Sequence, residues 1–314
     1  MTKNAPQDKL IVILGPTATG KTKLAVRIAQ ELRTSVVSGD SMLVYRGLDI
    51  GSAKPDEAER GGVHHALIDC LDPAVESFNA AEFQRLAAEE IHSVNQGGSI
   101  PILVGGTGLY VKALLEGYRF NKDQEDDEFR ASLENLAEKR GKAYVHKMLE
   151  KVDPKLAAKL HVNDFRRVVR ALEVWHLGKE RISQEKQNGG LVYDACVIGL
   201  RADRKILYER IERRVDAMIA AGLEDEVRRL LASGVARSAH AMQGIGYKEM
   251  LACIDGKLSL AEAGANIKKA TRHFAKRQFT WYRKMPYIHW FDIDAVSLEN
   301  LVKTVLEAIN NKFM

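Results

Sequence analysis

Gly15-Pro16-Thr17-Ala18-Thr19-Gly20-Lys21-Thr22 is the stretch on which the reading of this chain turns. It follows the apolar run Leu10-Ile11-Val12-Ile13-Leu14 and precedes a segment, Lys23 to Arg33, with a helical pattern. Strand, glycine-bounded loop, Lys-Thr and helix, in that order, are the context a phosphate-binding loop (P-loop) requires. Glycines let the backbone curl so that successive N–H groups face one anion. The helix start adds unpaired donors and positive dipole character. Lys21 supplies a mobile cation, and the Thr22 hydroxyl is of the kind that holds Mg²⁺. A plain glycine turn with a capping threonine would explain neither the lysine nor the spacing.

Outward from this loop, apolar runs alternate with helical patterns. Strands are expected over Leu10–Leu14, Ser35–Ser38, Ala66–Ile68 and Ile100–Val104, with helices after the loop, over Ala80–Asn95 and after Gly108. Such alternation predicts an α/β fold with a P-loop-type, mostly parallel sheet flanked by helices. From about Asn121 to Gln187 the chain is charged and helical, without β-branched runs, which suggests a helical insertion domain. Val192–Leu200 and Tyr287–Ile293 look like strands returning to the sheet. The expected organisation is residues 1–120 as the first part of the core, 121–190 as the insertion, and 191–314 completing the core with a basic C-terminal helix. Ligands in open α/β sheets sit outside the carboxyl ends of the strands. The 15–22 loop, Asp40 and the Gly105-Gly106-Thr107-Gly108 turn each follow a strand, so they should converge there.

The 314 residues are 46% hydrophobic and 28% charged, which suits a soluble enzyme of one large or two smaller domains. No apolar run reaches membrane-span length and the polar N-terminus does not read as a secretory signal, so a cytoplasmic location is expected. Cys70, Cys196 and Cys253 are odd in number and far apart, fitting buried thiols better than disulfides or a zinc cluster. The net charge of +5 is unevenly spread. Ala263 to Phe291 contains no Asp or Glu, while seven Lys and Arg lie between Lys268 and Lys284, and Asp123 to Glu128 is an acidic cluster. A local basic stripe points to a polyanionic partner more strongly than the total charge does.

The other candidate groups carry two readings each. Asp40 suits a Mg²⁺ ligand or a proton acceptor, and equally an N-cap or Asx-turn. Thr107, alone, reads more readily as a helix cap than as a substrate contact. The arginines from Arg201 to Arg214 form a solvated face or include one that grips a diphosphate. His64-His65 reads as structural rather than metal-binding. In Thr271 to Lys284, basic residues interleave with aromatics, as a nucleic-acid surface would have them or as a core helix with a basic outer face would. Ile267, Ala270, Phe274, Trp281 and Met285 recur at helical spacing and are expected to form that helix's buried stripe, with Arg272, Lys276, Phe279 and Arg283 on another face.

Taken together the motifs resemble the tRNA dimethylallyltransferase (isopentenyl-tRNA transferase) family across nearly the whole chain. The matching residues are the Gly-Pro-Thr-Ala-x-Gly-Lys-Thr loop, Asp40-Ser41 with Tyr45 to Pro55, and Gly105-Gly106-Thr107-Gly108-Leu109-Tyr110. Asn163-Asp164 with Arg166-Arg167 and Arg170 to Glu173, Gly222-Leu223 with Glu226-Val227, Gly246-Tyr247-Lys248-Glu249, and Lys276-Arg277-Gln278 with Thr280-Trp281 follow in the family's order. Thr19 and Ser52 stand where Ser and Thr are common, and Val63-His64-His65-Ala66 lacks an expected Pro-His-His.

The resemblance implies transfer of a dimethylallyl group from dimethylallyl diphosphate to the exocyclic amine of the adenosine 3′ to the anticodon, in tRNAs reading codons that begin with U. It implies Asp40 and Thr107 as the catalytic pair, with Asp40 as general base. Gly15, Pro16, Thr17, Ala18, Thr19, Gly20, Lys21, Thr22 and Arg214 would bind the diphosphate, with Thr22 on Mg²⁺. Asp40, Ser41, Met42, Leu43, Thr107, Arg130, Arg166, Arg167, Arg170, Gln243, Gly246, Lys248, Lys276, Arg277 and Arg283 would face tRNA. A monomer without membrane attachment is expected. ATP, which such a loop usually advertises, is not needed for the chemistry. An adenylate isopentenyltransferase would need neither the insertion nor the basic helix. A small-molecule P-loop kinase would transfer phosphate from ATP, and a catalytically idle RNA-binding protein would not need Asp40 and Thr107 beside an intact loop.

Overall fold

The structure, a computed structural model, describes residues 7–75, 78–118, 120, 126–178, 190–294 and 296–313. Six parallel strands form one sheet: β1 Lys9–Leu14, β2 Val36–Gly39, β3 His65–Ala66, β4 Ile102–Gly105, β5 Asp194–Arg201 and β6 His289–Asp292. Their order is β3-β2-β4-β1-β5-β6, so β1 lies inside the sheet, paired with β4 and β5. Thirteen helices are described. They are α1 Lys21–Leu32, α2 Glu57–Arg60, α3 Ala80–Gln96, α4 Gly108–Leu115, α5 Asp127–Arg140, α6 Lys142–Val152, α7 Pro154–Ala157, α8 Phe165–Gly178, α9 Arg204–Ala220, α10 Leu223–Ala232, α11 Tyr247–Ile254, α12 Leu260–Tyr282 and α13 Leu298–Phe313.

The described chain divides into two compact units, 1–116 with 190–314, and 117–189. In the first, alternation along β1 sorts side chains to two faces, as the period of a strand demands. Leu10, Val12 and Leu14 pack with Phe83, Ile91, Val111 and Tyr247 on one face. Ile11 and Ile13 pack with Leu24, Ile28, Val305 and Ile309 of α1 and α13 on the other. A parallel strand covered on both faces must be apolar throughout, which is why the 10–14 run carries no polar residue.

The second unit is helical and has its own core of Leu133, Val145, Leu149, Leu160, Val168 and Leu172. Asp126 caps α5 by accepting from the Phe129 N–H at 2.8 Å. Residues 123–125 of the acidic cluster lie outside the described residues. Glu173, wholly inaccessible to solvent, takes 2.7 and 3.0 Å contacts from Arg130, 2.6 Å from Arg170 and 2.9 Å from the Asp126 N–H. Burial pushes its carboxyl up, but these donors outweigh it and hold the group below the ordinary carboxylate range.

Two expectations are corrected. The buried face of α12 is Ile267, Ala275, Gln278 and Tyr282, running on to Met285, whereas Trp281 is 40% exposed and Ala270 and Phe274 are only half-buried. Polar Gln278 and Tyr282 point inward because partners await them there, so hydrophobicity alone misplaced the stripe. Cys70 is exposed rather than buried, on the loop after β3, while Cys196 is buried and Cys253 half-buried.

Candidate active site

Strand pairing builds the site. Gly39 at the end of β2 is in register with Gly105 at the end of β4, and Leu14 at the end of β1 is in register with the same Gly105. The three segments leaving these strands, Asp40-Ser41, Gly106-Thr107 and the 15–22 loop, are therefore neighbours at one edge, the place where open sheets bind ligands. The approach is close. A Cβ on Gly105 would meet the Gly39 carbonyl oxygen at 2.9 Å, and one on Gly15 would meet the Leu200 carbonyl oxygen at 2.6 Å, at a φ of +154°. Larger residues would push the segments apart.

The 15–22 loop closes on itself: Thr19 Oγ1 and Lys21 Nζ both donate to the Pro16 carbonyl, at 2.8 and 2.9 Å. Ala18 and Gly20 both have positive φ, 66° and 80°. No side chain caps α1 after Gly20, which leaves its first N–H groups open toward the loop. Arg214 of α9 donates to Thr17 Oγ1 at 3.2 Å. Burial, then the Arg214 charge, lowers Lys21 to about 8 against an opposing pull from Asp40. Burial likewise lowers Arg214, opposed by Asp40 and Glu59. Two cations held close together in a half-buried place favour an anion between them. Among the described residues none engages the Thr22 hydroxyl at the start of α1. It lines, with Ser38, Leu43 and His65, a cavity of about 30 Å³.

Of the readings given to Asp40, the Asx-turn is the one the structure shows. Its Oδ1 accepts from the Met42 N–H at 2.8 Å, an Asx-turn. That bond orients the carboxylate and leaves Oδ2 toward the neighbouring turn, 3.6 Å from where a Cβ on Gly106 would stand. Its charge is felt by Lys21, Arg214, Tyr110 and Tyr282, both tyrosines being raised first by burial. Thr107 occupies the N-cap position of α4, yet its side chain makes no capping bond. Its Oγ1 instead accepts from the Ser41 N–H at 3.3 Å and lies 3.4 Å from Ser41 Oγ. A capping residue that does not cap leaves its hydroxyl facing Asp40-Ser41.

Around this centre the first unit brings further residues together. A Cβ on Gly244 would lie 2.7 Å from Met42 Cε, so the Gln243–Gly246 segment lies against the 40–43 segment. Gln243 and Lys248 are exposed, Gly246 is buried at a φ of 100°, and Ser41, Met42 and Leu43 are half-buried. Lys276, Arg277 and Arg283 are exposed on and just after α12. Arg283 lies over the Phe279 ring at 4.6 Å and Arg277 over Phe274 at 5.9 Å. In the helical unit Arg166 and Arg167 are exposed, while Arg130 and Arg170 are half-buried around Glu173. The described residues contain no cluster of acidic, His or Cys groups suited to a metal, and His65 Nδ1 is spent on the Val63 carbonyl at 2.9 Å.

Sequence reasoning missed two residues. Gln278 accepts from the Thr17 N–H at 2.9 Å and donates to the Gly106 carbonyl at 2.7 Å. Buried Glu226 accepts from the N–H groups of Asp49, Ile50 and Gly51 and from the Tyr247 hydroxyl. Both stood inside recognised motifs. The only further signal was polar residues on an inward face, Gln278 one turn before Tyr282.

Comparison with known proteins gives one consistent result. The family model described as IPP transferase matches residues 43–285. A protein of Carboxydothermus hydrogenoformans named tRNA dimethylallyltransferase is 47% identical over 98% of this chain and 99% of its own length. One of the same name from Bacillus cytotoxicus is 46% identical over 91% of each. The structure of the full-length tRNA isopentenylpyrophosphate transferase of Bacillus halodurans has a TM-score of 0.74 and 42% identity, covering 98% of this chain and 97% of that one. A eukaryotic dimethylallyltransferase, solved acting on tRNA, gives 0.83 at 28% identity, covering 98% and 79%. No helix among the described residues is long and apolar enough to cross a membrane.

Proposed function

Because the chain belongs to the IPP transferase family, we propose that its site transfers the dimethylallyl group of dimethylallyl diphosphate to the exocyclic amine of an adenosine in tRNA and releases diphosphate. The observation that carries this reading is the meeting of Asp40 Oδ2 and the Thr107 hydroxyl with Lys21 and Arg214 at adjoining strand ends. The acceptor is the adenosine 3′ to the anticodon in tRNAs that read codons beginning with U, and the enzyme works as a cytoplasmic monomer.

The chemistry has two demands. The adenine amine is a poor nucleophile because its lone pair is delocalised into the ring. As its nitrogen bonds to the allylic carbon, Asp40 takes the departing proton, and the Thr107 hydroxyl helps orient the amine. The carbon–oxygen bond breaks with its electrons leaving on diphosphate. The open N–H groups at the start of α1, with Lys21 and Arg214, stabilise that developing charge. The Thr22 hydroxyl would hold a Mg²⁺ ion, which would supply further neutralisation of the leaving group's charge. The target base has to leave its stack to reach the crevice. Lys276, Arg277, Arg283 and Lys248 supply phosphate contacts to the tRNA, as do the arginines of the helical unit.

Incubation with unmodified tRNA and dimethylallyl diphosphate tests the reading: mass spectrometry should find prenylated adenosine. Transfer of labelled phosphate from ATP without any prenyl product would favour a kinase instead.

Lys21→Ala should weaken inorganic diphosphate binding about tenfold to a hundredfold, since a hydrogen bond to a charged group is worth about 1.5–3 kcal/mol. Binding of tRNA alone should survive. The same lysine makes affinity pH-dependent. Above about 8 the free side chain has lost its proton, so binding must take one up and weakens as pH rises. Calorimetry across that range reads both effects, and unchanged affinity in Lys21→Ala would show the loop serving something else.

The basic helix is tested through salt. No Asp or Glu lies between Ala263 and Phe291 to neutralise Lys276, Arg277 and Arg283 locally. Changing all three to Gln should weaken tRNA binding and flatten its dependence on ionic strength, because fewer counterions are released. A filter-binding series beside circular dichroism is the measurement. An unchanged slope in a folded triple variant returns these residues to a merely solvated face.

A further inference from the structure

Gln278 is buried at 4% exposure, in a helix whose exposed face is basic. Its amide has both ends occupied: Oε1 accepts from the Thr17 N–H at 2.9 Å and Nε2 donates to the Gly106 carbonyl at 2.7 Å. The Tyr282 hydroxyl, one turn on, donates to the same carbonyl at 2.9 Å. Gly106 admits this approach because it has no side chain; a Cβ there would stand 2.8 Å from Nε2 and 3.6 Å from Asp40 Oδ2. Among the described residues no backbone hydrogen bond joins 15–20 to 106–108. The loop after β1 and the turn after β4 are thus fastened to each other through one side chain reaching in from α12.

We propose that Gln278 is a positioning residue for prenyl transfer, setting the distance between the diphosphate loop and the turn that carries Thr107; the role rests on the reading of the site given above. One side of the bridge holds the leaving group. The other, with Asp40 Oδ2 beside it, holds the amine. Displacement at the allylic carbon needs nucleophile, carbon and leaving oxygen in line and near contact, so the span between the two sides governs the bound-state rate. Binding of each substrate alone depends on one side only. The bridge should therefore act on the chemical step far more than on either affinity.

Gln278→Met separates this from a purely structural role, since it keeps the volume, adds no charge and removes both hydrogen bonds. Tyr282→Phe is the control: it deletes a buried bond to the same carbonyl but leaves the bridge. The measurements are the single-turnover rate with saturating tRNA and dimethylallyl diphosphate, calorimetry with inorganic diphosphate, filter binding of tRNA, and urea unfolding. Gln278→Met should slow bound-state transfer about 30- to 100-fold, the cost of a misplacement of roughly 1 Å, with both affinities within about threefold of wild type. Tyr282→Phe should stay within about fivefold in rate, since one donor to the carbonyl remains.

Three results would overturn the role. They are a wild-type rate in Gln278→Met, a fall in diphosphate affinity equal to the fall in rate, which would make Gln278 part of the diphosphate cradle, and an equal slowing by Tyr282→Phe. A wild-type protein that forms no prenylated adenosine would instead overturn the reading of the site, and the role with it.

Discussion

Asp40→Asn should slow prenyl transfer about 10²- to 10⁴-fold, the usual worth of a positioned acid or base, with the fold intact. Asparagine is the informative substitution. Its side-chain oxygen can still accept from the Met42 N–H, the bond that orients Asp40 at 2.8 Å, so the turn after β2 should persist. What it cannot do is take a proton from the amine. Asp40→Ala loses the turn as well and should be at least as slow. Diphosphate affinity should hold or tighten in both, because Asp40's negative charge reaches Lys21 and Arg214, the cations assigned to that anion. Single-turnover mixing of enzyme with both substrates is the measurement, and a wild-type rate in Asp40→Asn would remove Asp40 from the role of base.

The second large effect is on stability. Glu226 is 2% exposed, and its carboxylate is fully engaged. One oxygen accepts from Asp49 and Ile50 N–H at 3.0 and 2.7 Å, the other from Gly51 N–H at 3.0 Å and the Tyr247 hydroxyl at 2.8 Å. Burial, then the nearby Glu226 charge, raises the Tyr247 hydroxyl well above its ordinary value, so it stays protonated and keeps donating. Glu226→Ala strips four donors of their acceptor at once. With each buried orphan costing about 1–3 kcal/mol and some relaxation, the expected loss is about 3–5 kcal/mol. Glu226→Gln, which keeps an acceptor oxygen, should lose less. Urea unfolding reads the difference. A midpoint unmoved in Glu226→Ala would show that the 49–51 segment is held by its own backbone.

Much of the fold was legible because its signals are local. The β1 strand announces itself as an unbroken apolar run, since a parallel strand buried on both faces can carry nothing else. The 15–22 loop is legible because glycines stand at its two corners, Gly15 and Gly20, and because Lys-Thr at the helix start has no purely structural reason. Asp40 and Thr107 could be named as candidates from their place after strands, but each kept a bland alternative. For Asp40 that alternative is what the structure shows: it forms the Asx-turn, through one carboxylate oxygen only. For Thr107 the favoured alternative, a cap, is not what the hydroxyl does. The α12 stripe went astray for a definable reason. Hydrophobic periodicity places Trp281 inside and passes over polar Gln278, and it is blind to a buried carbonyl and N–H that need partners more than the interior needs another ring.

By itself, then, the amino-acid sequence determined the parts: the strands, the phosphate-type loop, the basic stretch without carboxylates and the charged helical segment, all properties of contiguous stretches of chain. Only the tertiary structure decided which parts meet. The strand order β3-β2-β4-β1-β5-β6 makes the ends of β2, β4 and β1 neighbours, and so sets Asp40 beside the Thr107 turn and both beside the loop. It also decided that Arg214 of α9 and Gln278 of α12, about 200 and 260 residues after Thr17, should reach that residue. No periodicity encodes such contacts. They arise when buried polar groups from distant segments must find partners away from water, a condition set by the packed chain as a whole.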